Sequence, residues 1–257
     1  MVLTRAQIVL QTDPEKRLTS SIGSLLQGVL MQHIDPAYGE VLHRSELKPY
    51  SQYISFGASG AIWTVQTLTE EAETQIVQPL LSGSFTSLRL EHKDLELPIL
   101  SKTVTHLTEE ELMQQTFFAE CSRKVRLRFI TPCSFKSQGV YQIFPSIRLM
   151  FQSLVNRYDT MSEKNSVFYP ELFEDLEQHT MITEYRLQSR LFGVEGISIP
   201  SYQGHITLRM SGPQQMVNLM HMLLRFGTYS GIGIKTAMGM GGLQMEERKR
   251  TNENRTV

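Results

Sequence analysis

Gly231-Ile-Gly-Ile-Lys-Thr-Ala-Met-Gly-Met-Gly241 is the stretch of this 257-residue chain whose reading decides the fold. Its glycines at Gly231, Gly233, Gly239 and Gly241 let the backbone turn sharply and come close to a ligand with no Cβ in the way. A run of exposed N–H groups beside Lys235 and Thr236 would suit phosphate oxygens. The two commoner glycine loops, the dinucleotide-binding turn and the P-loop, run strand, loop, helix. Here the order is reversed. Val217, Met220, Leu223 and Leu224 share one helical face, which predicts a helix opened by Gly212-Pro213 and stopped at Gly227. A last strand is expected near residues 240–245. The P-loop also needs glycine immediately before lysine, and Ile234 stands there. Spacing alone leaves open a glycine-rich hairpin used only for packing.

Working outward, residues 124–129 read as a strand, 147–158 as a helix, and 185–192 and 206–210 as strands, completing an α+β unit with the loop at its end. The first half repeats the scheme loosely. A strand over 5–10 leads to a helix capped by Thr19, Ser20 or Ser21, with Ile22, Leu25, Leu26, Val29 and Leu30 on one stripe. Asp35-Pro36 reads as a cap and first-turn proline of a short helix ending near His43. Strands over 50–56 and 62–67 pair around the 57–60 turn, Thr67 or Thr69 caps a helix to about Leu80, and strands follow over 85–90 and 97–104. The order β-α-β-β-α-β with an extra hairpin is ferredoxin-like. Thr108-Glu-Glu-Glu111 matches a capping box and starts a bridging helix. The expected architecture is therefore α+β, a tandem of ferredoxin-like (RRM-like) half-domains over 1–118 and 119–245. The polar stretch 246–257 is expected to be disordered.

Charge divides the same way. Residues 1–118 carry 8 Lys/Arg against 14 Asp/Glu, and residues 119–257 carry 17 against 12. An anionic partner would prefer the second half. Lys124, Arg126 and Arg128 alternate with Val125, Leu127 and Phe129, so a strand would put cations on one face and apolar groups on the other. Arg186, Gln188 and Arg190 repeat this opposite Tyr185, Leu187 and Leu191. Were the strands neighbours, their polar faces would merge into a basic platform for a nucleic-acid backbone, extended by Lys136. The plainer alternative is two solvated strand faces. The aromatic-rich RNP1 pattern of the standard RNA-recognition module is not present. Cys121 and Cys133 fit neither a disulfide framework nor a zinc pattern and read as reduced thiols of a cytoplasmic protein. Neither a signal peptide nor a run of ~18 apolar residues is seen, so no membrane partner is expected.

The loop resembles the C-terminal signature of the CRISPR repeat-processing endoribonucleases of the RAMP superfamily. It matches every fixed position, with Phe226-Gly-Thr-Tyr-Ser230 leading into it. Gly23-Ser-Leu-Leu-Gln-Gly28, Leu42-His43, Lys48-Pro-Tyr-Ser51 and Thr131-Pro-Cys-Ser-Phe-Lys136 are similar to further family segments, so that the resemblance covers about residues 1–245. It implies two ferredoxin-like units, RNA binding and repeat cleavage. It also implies a metal-free route: the 2′-hydroxyl attacks the neighbouring phosphate and leaves a 2′,3′-cyclic phosphate and a 5′-hydroxyl.

The protein must then move protons, stabilise charge on the phosphate and hold the strand in line. His43 is the first candidate for proton transfer, since imidazole ordinarily titrates close to neutrality. His33 is the second, in a stretch where some family members place a tyrosine. Lys48 is the candidate charge stabiliser, and Tyr50 and Ser51 could bind the phosphate or orient His43, unless they simply form a strand. Glu70, Glu71, Glu73 and Glu109–Glu111 sit at helix starts, where acids suit the dipole. No metal and no cofactor are expected. The partners implied are CRISPR repeat RNA and, transiently, a CRISPR effector complex. A non-catalytic RNA-binding subunit of such a complex would share the fold and loop but has no need of the His43 to Lys48 segment. A small-molecule phosphate-binding enzyme would explain the loop but not the basic strand faces.

Overall fold

The structure, a computed structural model, describes residues 1–13, 18–57, 60–90 and 93–246. Its elements run β1 (Val2–Leu10), a 3₁₀ turn (Ser20–Ile22), α1 (Gly23–His33), α2 (Pro36–Arg44), β2 (Tyr50–Gly57) and β3 (Gly60–Thr67). Then come α3 (Glu70–Ala72), a π-turn (Glu73–Val77), α4 (Gln78–Leu81), β4 (Ser87–Leu90), β5 (Leu95–Thr108) and α5 (Glu109–Gln115). The second half holds β6 (Lys124–Cys133), β7 (Phe135–Ser137), β8 (Val140–Gln142), α6 (Ile147–Met161) and α7 (Leu172–Gln178). It continues with β9 (Thr180–Val194), β10 (Ile197–Met210), α8 (Gln214–Ser230), a 3₁₀ turn (Thr236–Met238) and β11 (Leu243–Glu246).

The first sheet has the order β2-β3-β1-β5-β4 and the second β11-β6-β10-β9. Removing the β4 edge hairpin leaves the same antiparallel arrangement in both: the first strand of each unit lies between its third and fourth. That is the ferredoxin-like topology, twice. Local chemistry sets many boundaries. Asp35 accepts from the Ala37 and Tyr38 amides at 2.8 and 3.3 Å, with Pro36 in the first turn of α2. Thr69 caps α3, and Thr108 with Glu111 forms the expected capping box. Pro79 has no amide to give to the preceding turn, which accounts for the π-turn before α4.

Two expectations about the second half need correction here. α8 does not stop at Gly227 but runs to Ser230, ending where Gly231 takes φ +67°. Gly227 serves packing instead: a Cβ there would lie 2.8 Å from Leu154 Cδ2 on α6. Glu246, placed in the disordered stretch, ends β11 opposite Arg126, while residues 247–257 lie outside the described residues. On the edge strand β9, Tyr185 and Leu191 are exposed, and the Tyr185 ring meets Phe144 edge-on at 5.6 Å.

The first core gathers Trp63, Leu26, Ile54 and Ile76 between the first sheet and its helices. The second gathers Phe129, Phe151, Leu154 and Phe226, and also takes in Leu3, Leu68, Leu107 and Leu112 from the first half. A third, small cluster of Phe192, Val194, Ile199 and Met240 seats the tip of the β9–β10 hairpin on the glycine-rich loop. No described helix is long and apolar enough to cross a membrane.

Candidate active site

His43 lies in the last turn of α2 and is exposed. The turn is closed by Lys48, whose Nζ donates to the carbonyls of Leu42 and Ser45 at 2.5 Å each and of His43 at 3.4 Å. A helix end leaves such carbonyls unpaired, and an ammonium there also answers the negative end of the helix dipole. All three Lys48 donors are thus engaged. In this arrangement Lys48 holds the turn that carries His43 and places a fixed charge beside it, rather than offering its N–H groups to a phosphate. Burial, and next the repulsion of Lys235, lower the Lys48 pKa from the ordinary lysine value. Lys235 is the loop cation of the second half. Lys235 is exposed, left-handed at φ +54°, and 3.3 Å from Glu195 at the tip of the β9–β10 hairpin.

Tyr50 and Ser51 take other roles. Tyr50 is 1% exposed and packs in the first core, its hydroxyl accepting from Gln27 Nε2 at 3.4 Å. Burial pushes its pKa up to about 12. A phenol so enclosed does not exchange protons at neutral pH. Ser51 is 2% exposed, and its hydroxyl donates to the Tyr229 carbonyl at 2.6 Å. The plain strand reading of this segment holds, and β2 is buried on both faces from Tyr50 to Ile54. His33 is exposed at the end of α1; its Nδ1 donates to the Val29 carbonyl at 2.8 Å, and its ring meets Phe85 edge-on at 4.8 Å. Since a carbonyl only accepts, Nε2 is the basic nitrogen of that ring.

The loop from Gly231 to Gly241 is built inward. Ile232 N donates to Gly241 O, Ile234 N to Ser134 O and Gly241 N to Pro132 O at 2.9–3.1 Å, while Gly233 N donates to Ser153 Oγ at 3.0 Å. Thr236 is 3% exposed, and its hydroxyl accepts from Arg157 Nη1 at 2.6 Å. Most of the expected amide cradle is therefore spent inside the protein, and Thr236 with it. The physical reason is that the loop is the joint between halves. Gln52 donates to the carbonyls of Gly23 and Ala237 at 3.0 and 2.9 Å, and a Cβ on Gly239 would lie 2.9 Å from Gly23 Cα. Lys235 is the loop's exposed functional side chain.

The basic strands do not neighbour each other, for β10 lies between them. They still meet on one face: His205 pairs with Arg128 of β6 on one side and Arg186 of β9 on the other. Lys124 lies 2.8 Å from Glu184, and Arg126 lies 3.7 Å from Glu246. Arg128, Arg186 and Arg190 instead line a cavity of about 360 Å³ with Gln188, Gln203 and His205. Lys136 is exposed on the β7–β8 hairpin, 5.6 Å over the Tyr141 ring. Gln203 and His205 lie in the part of β10 that precedes Ile206, where the sequence pattern predicts no strand. Their alternation with the core-facing residues of β10 was the available signal.

The family model described as CRISPR-associated endoribonuclease Cas6 matches residues 127–243. A Streptococcus thermophilus protein described as CRISPR-associated endoribonuclease Cas6 is 36% identical over 225 residues, covering 86% of this chain and 90% of the relative. The chain belongs to the Cas6 family. A Mycobacterium tuberculosis Cas6 is 31% identical over 247 residues, covering 95% of this chain and 78% of the relative. A solved Cas6 product complex aligns with a TM-score of 0.77 at 22% identity, covering 96% of this chain and 100% of that one. A Thermus thermophilus Cas6 aligns with a TM-score of 0.71 at 20% identity, covering 95% and 98%. These structural likenesses are ones of fold, and they bear out the RAMP-type architecture. The Cas6 model match takes in Arg128, the β9 arginines and the glycine loop; Lys124 and Arg126 fall just before it, and the His43 turn lies in the first half, outside it.

Proposed function

We propose that this chain cuts CRISPR repeat RNA with the RNA's own 2′-hydroxyl as nucleophile and without a metal ion. In that reaction the 2′-oxygen bonds to phosphorus as the bond from phosphorus to the 5′-oxygen breaks. The 2′-hydroxyl proton passes to a base and the leaving 5′-oxygen receives one, which leaves a 2′,3′-cyclic phosphate and a 5′-hydroxyl. The observation that carries this reading is an exposed imidazole, His43, in a turn held by Lys48. Cas6 kinship supports the same activity. His43 moves the proton, Lys48 positions it, and Lys235 is the cation free to turn from Glu195 to a phosphate oxygen. His33 is the reserve acid or base, with Nε2 outward. Residues 1–118 carry the cleavage turn, and residues 119–245 carry the strands and loop that hold RNA. The product guide RNA passes in the cytoplasm to a CRISPR effector complex.

The test is cleavage of end-labelled repeat RNA by purified protein in the presence of chelator. A defined cut with a cyclic phosphate end is expected, and a single 2′-deoxy substitution at the cut should abolish cleavage while sparing binding. Activity that disappears with chelator would overturn the metal-free chemistry. Tight binding with no cut would make the chain an RNA-binding subunit instead.

A further inference from the structure

The cavity on the open face of the second sheet holds more charge than its surroundings neutralise. Lys124, Arg126 and Lys235 of the same half each have an acid nearby, Glu184, Glu246 and Glu195. Arg128, Arg186 and Arg190 make no ion pair among the described residues, yet all three line one cavity of about 360 Å³. Converging like charges repel, and an anion placed among them removes that cost. The floor is shaped for close approach. β10 carries a bulge between Tyr202 and Gly204, and Gly204 sits at φ +136°, with no side chain between the arginine-bearing strands. Arg190 is held in place by donating to Gln188 Oε1 at 2.5 Å, and Gln203 by donating to the Ile130 carbonyl at 2.7 Å.

We propose that this cavity is a second RNA site, holding one phosphodiester away from the cut between Arg128, Arg186 and Arg190, with His205 beside it. The inference rests on the proposed function in that the ligand is RNA. None of the lining residues belongs to the half that carries His43 and Lys48. Guanidinium forks suit phosphate oxygens, which they can grip in pairs.

His205 makes the site responsive to pH. Its Nε2 lies 2.6 Å from Arg126 Nη2, and since guanidinium only donates, Nε2 is unprotonated and the ring neutral. The charged groups facing it are Arg126 and Arg128 on β6, Arg186 on β9 and Glu246 on β11. Burial first, then Arg126 and Arg186, hold its pKa below the ordinary histidine value, Arg128 adding to this and Glu246 opposing it. A phosphate in the cavity reverses that balance and favours the imidazolium. Binding then takes up a proton, and affinity rises as pH falls.

The experiment measures binding of the full chain to fluorescent single-stranded repeat RNA carrying a 2′-deoxy at the cut, across salt and from pH 7.5 to 5.5. R186A and R190A are expected to weaken binding about tenfold each and to lower the salt slope by about 0.7 for each arginine removed. R186K should keep the salt slope but lose affinity, because it retains charge without the fork. Wild-type affinity should rise several-fold over the pH range, and H205Q should flatten that rise. Wild type that neither binds nor cuts repeat RNA would remove the proposed function itself. Wild type that binds and cuts, with R186A, R190A and H205Q matching it in affinity, salt slope and pH response, overturns the cavity alone. An acidic protein segment would then be the occupant to seek.

Discussion

At the scale of single residues, the imidazole of His43 and the ammonium of Lys48 divide the work between chemistry and position. His43→Ala removes the proton carrier and leaves the turn, so cleavage should fall about 10²–10⁴-fold. Affinity for uncleavable repeat RNA should stay within about twofold, and single-turnover rates beside binding isotherms check both. Normal cleavage by His43→Ala would dismiss the assignment. Tyr50→Phe gives the opposite expectation. The hydroxyl is buried and accepts one long hydrogen bond, worth about 0.5–1.5 kcal/mol at most. Its removal should leave the single-turnover rate within about twofold of wild type, and a hundredfold loss would return Tyr50 to the site.

At the scale of elements, the glycine-rich loop works as a joint whose backbone has no room to spare. Gly239 has φ +103°, which a side chain resists, and a Cβ there would press on the Gly23 backbone of α1 at 2.9 Å. Neither backbone can swing aside as a flexible side chain could, so strain and clash add. Gly239→Ala should cost about 2–4 kcal/mol, read as a lower urea midpoint at unchanged slope. Gly28 makes a contrast on the same helix as Gly23, since nothing lies within 4 Å of its ideal Cβ. Gly28→Ala should be neutral or stabilising by up to about 1 kcal/mol, through helix propensity alone.

For the whole molecule, the two halves are joined too intimately to melt apart. Arg5 of β1 donates to the Thr228 carbonyl of α8 at 2.8 Å and stacks on Tyr229 at 4.2 Å, while Gln66 of β3 donates to the same carbonyl at 2.5 Å. Trp63 is the chain's one tryptophan and lies wholly in the first core. Its fluorescence should therefore change at the same urea concentration as far-UV circular dichroism, and two separated midpoints would show independent halves. Glu109 adds a pH dependence. It begins α5 and accepts from Tyr158 at 2.7 Å, Ser162 at 2.6 Å and Asn165 at 3.1 Å. Burial pushes its carboxyl up, but those hydrogen bonds and the N-terminal charge leave it below the ordinary 4.5. A depressed folded-state pKa means stability fully present above pH 4.5 and lost as pH falls through the folded value. Glu109→Gln should cost about 2 kcal/mol at pH 7, and its difference from wild type should shrink below pH 4.5, as thermal melts across pH would show.

Read alone, the sequence determined the order of the main helices and strands, though not β7, β8 or α7, the caps at Asp35 and Thr108, the two-unit α+β plan and the Cas6-type loop, and it left Thr67 and Thr69 as alternative caps. Those signals are local: a cap reaches three residues, and an apolar stripe repeats every turn. Tertiary structure alone decided which side chains of that plan meet solvent. Tyr50 and Ser51 look available in a segment beside His43, yet Ser51 bonds to Tyr229, 178 residues further on. The same remote packing spends the loop amides and Thr236, and lets α8 run past Gly227 against Leu154. It also gathers Arg128, Arg186 and Arg190 across a strand whose start was misplaced. Alternation tells that a strand has two faces; only the partner that arrives from elsewhere in the chain decides which of them is covered.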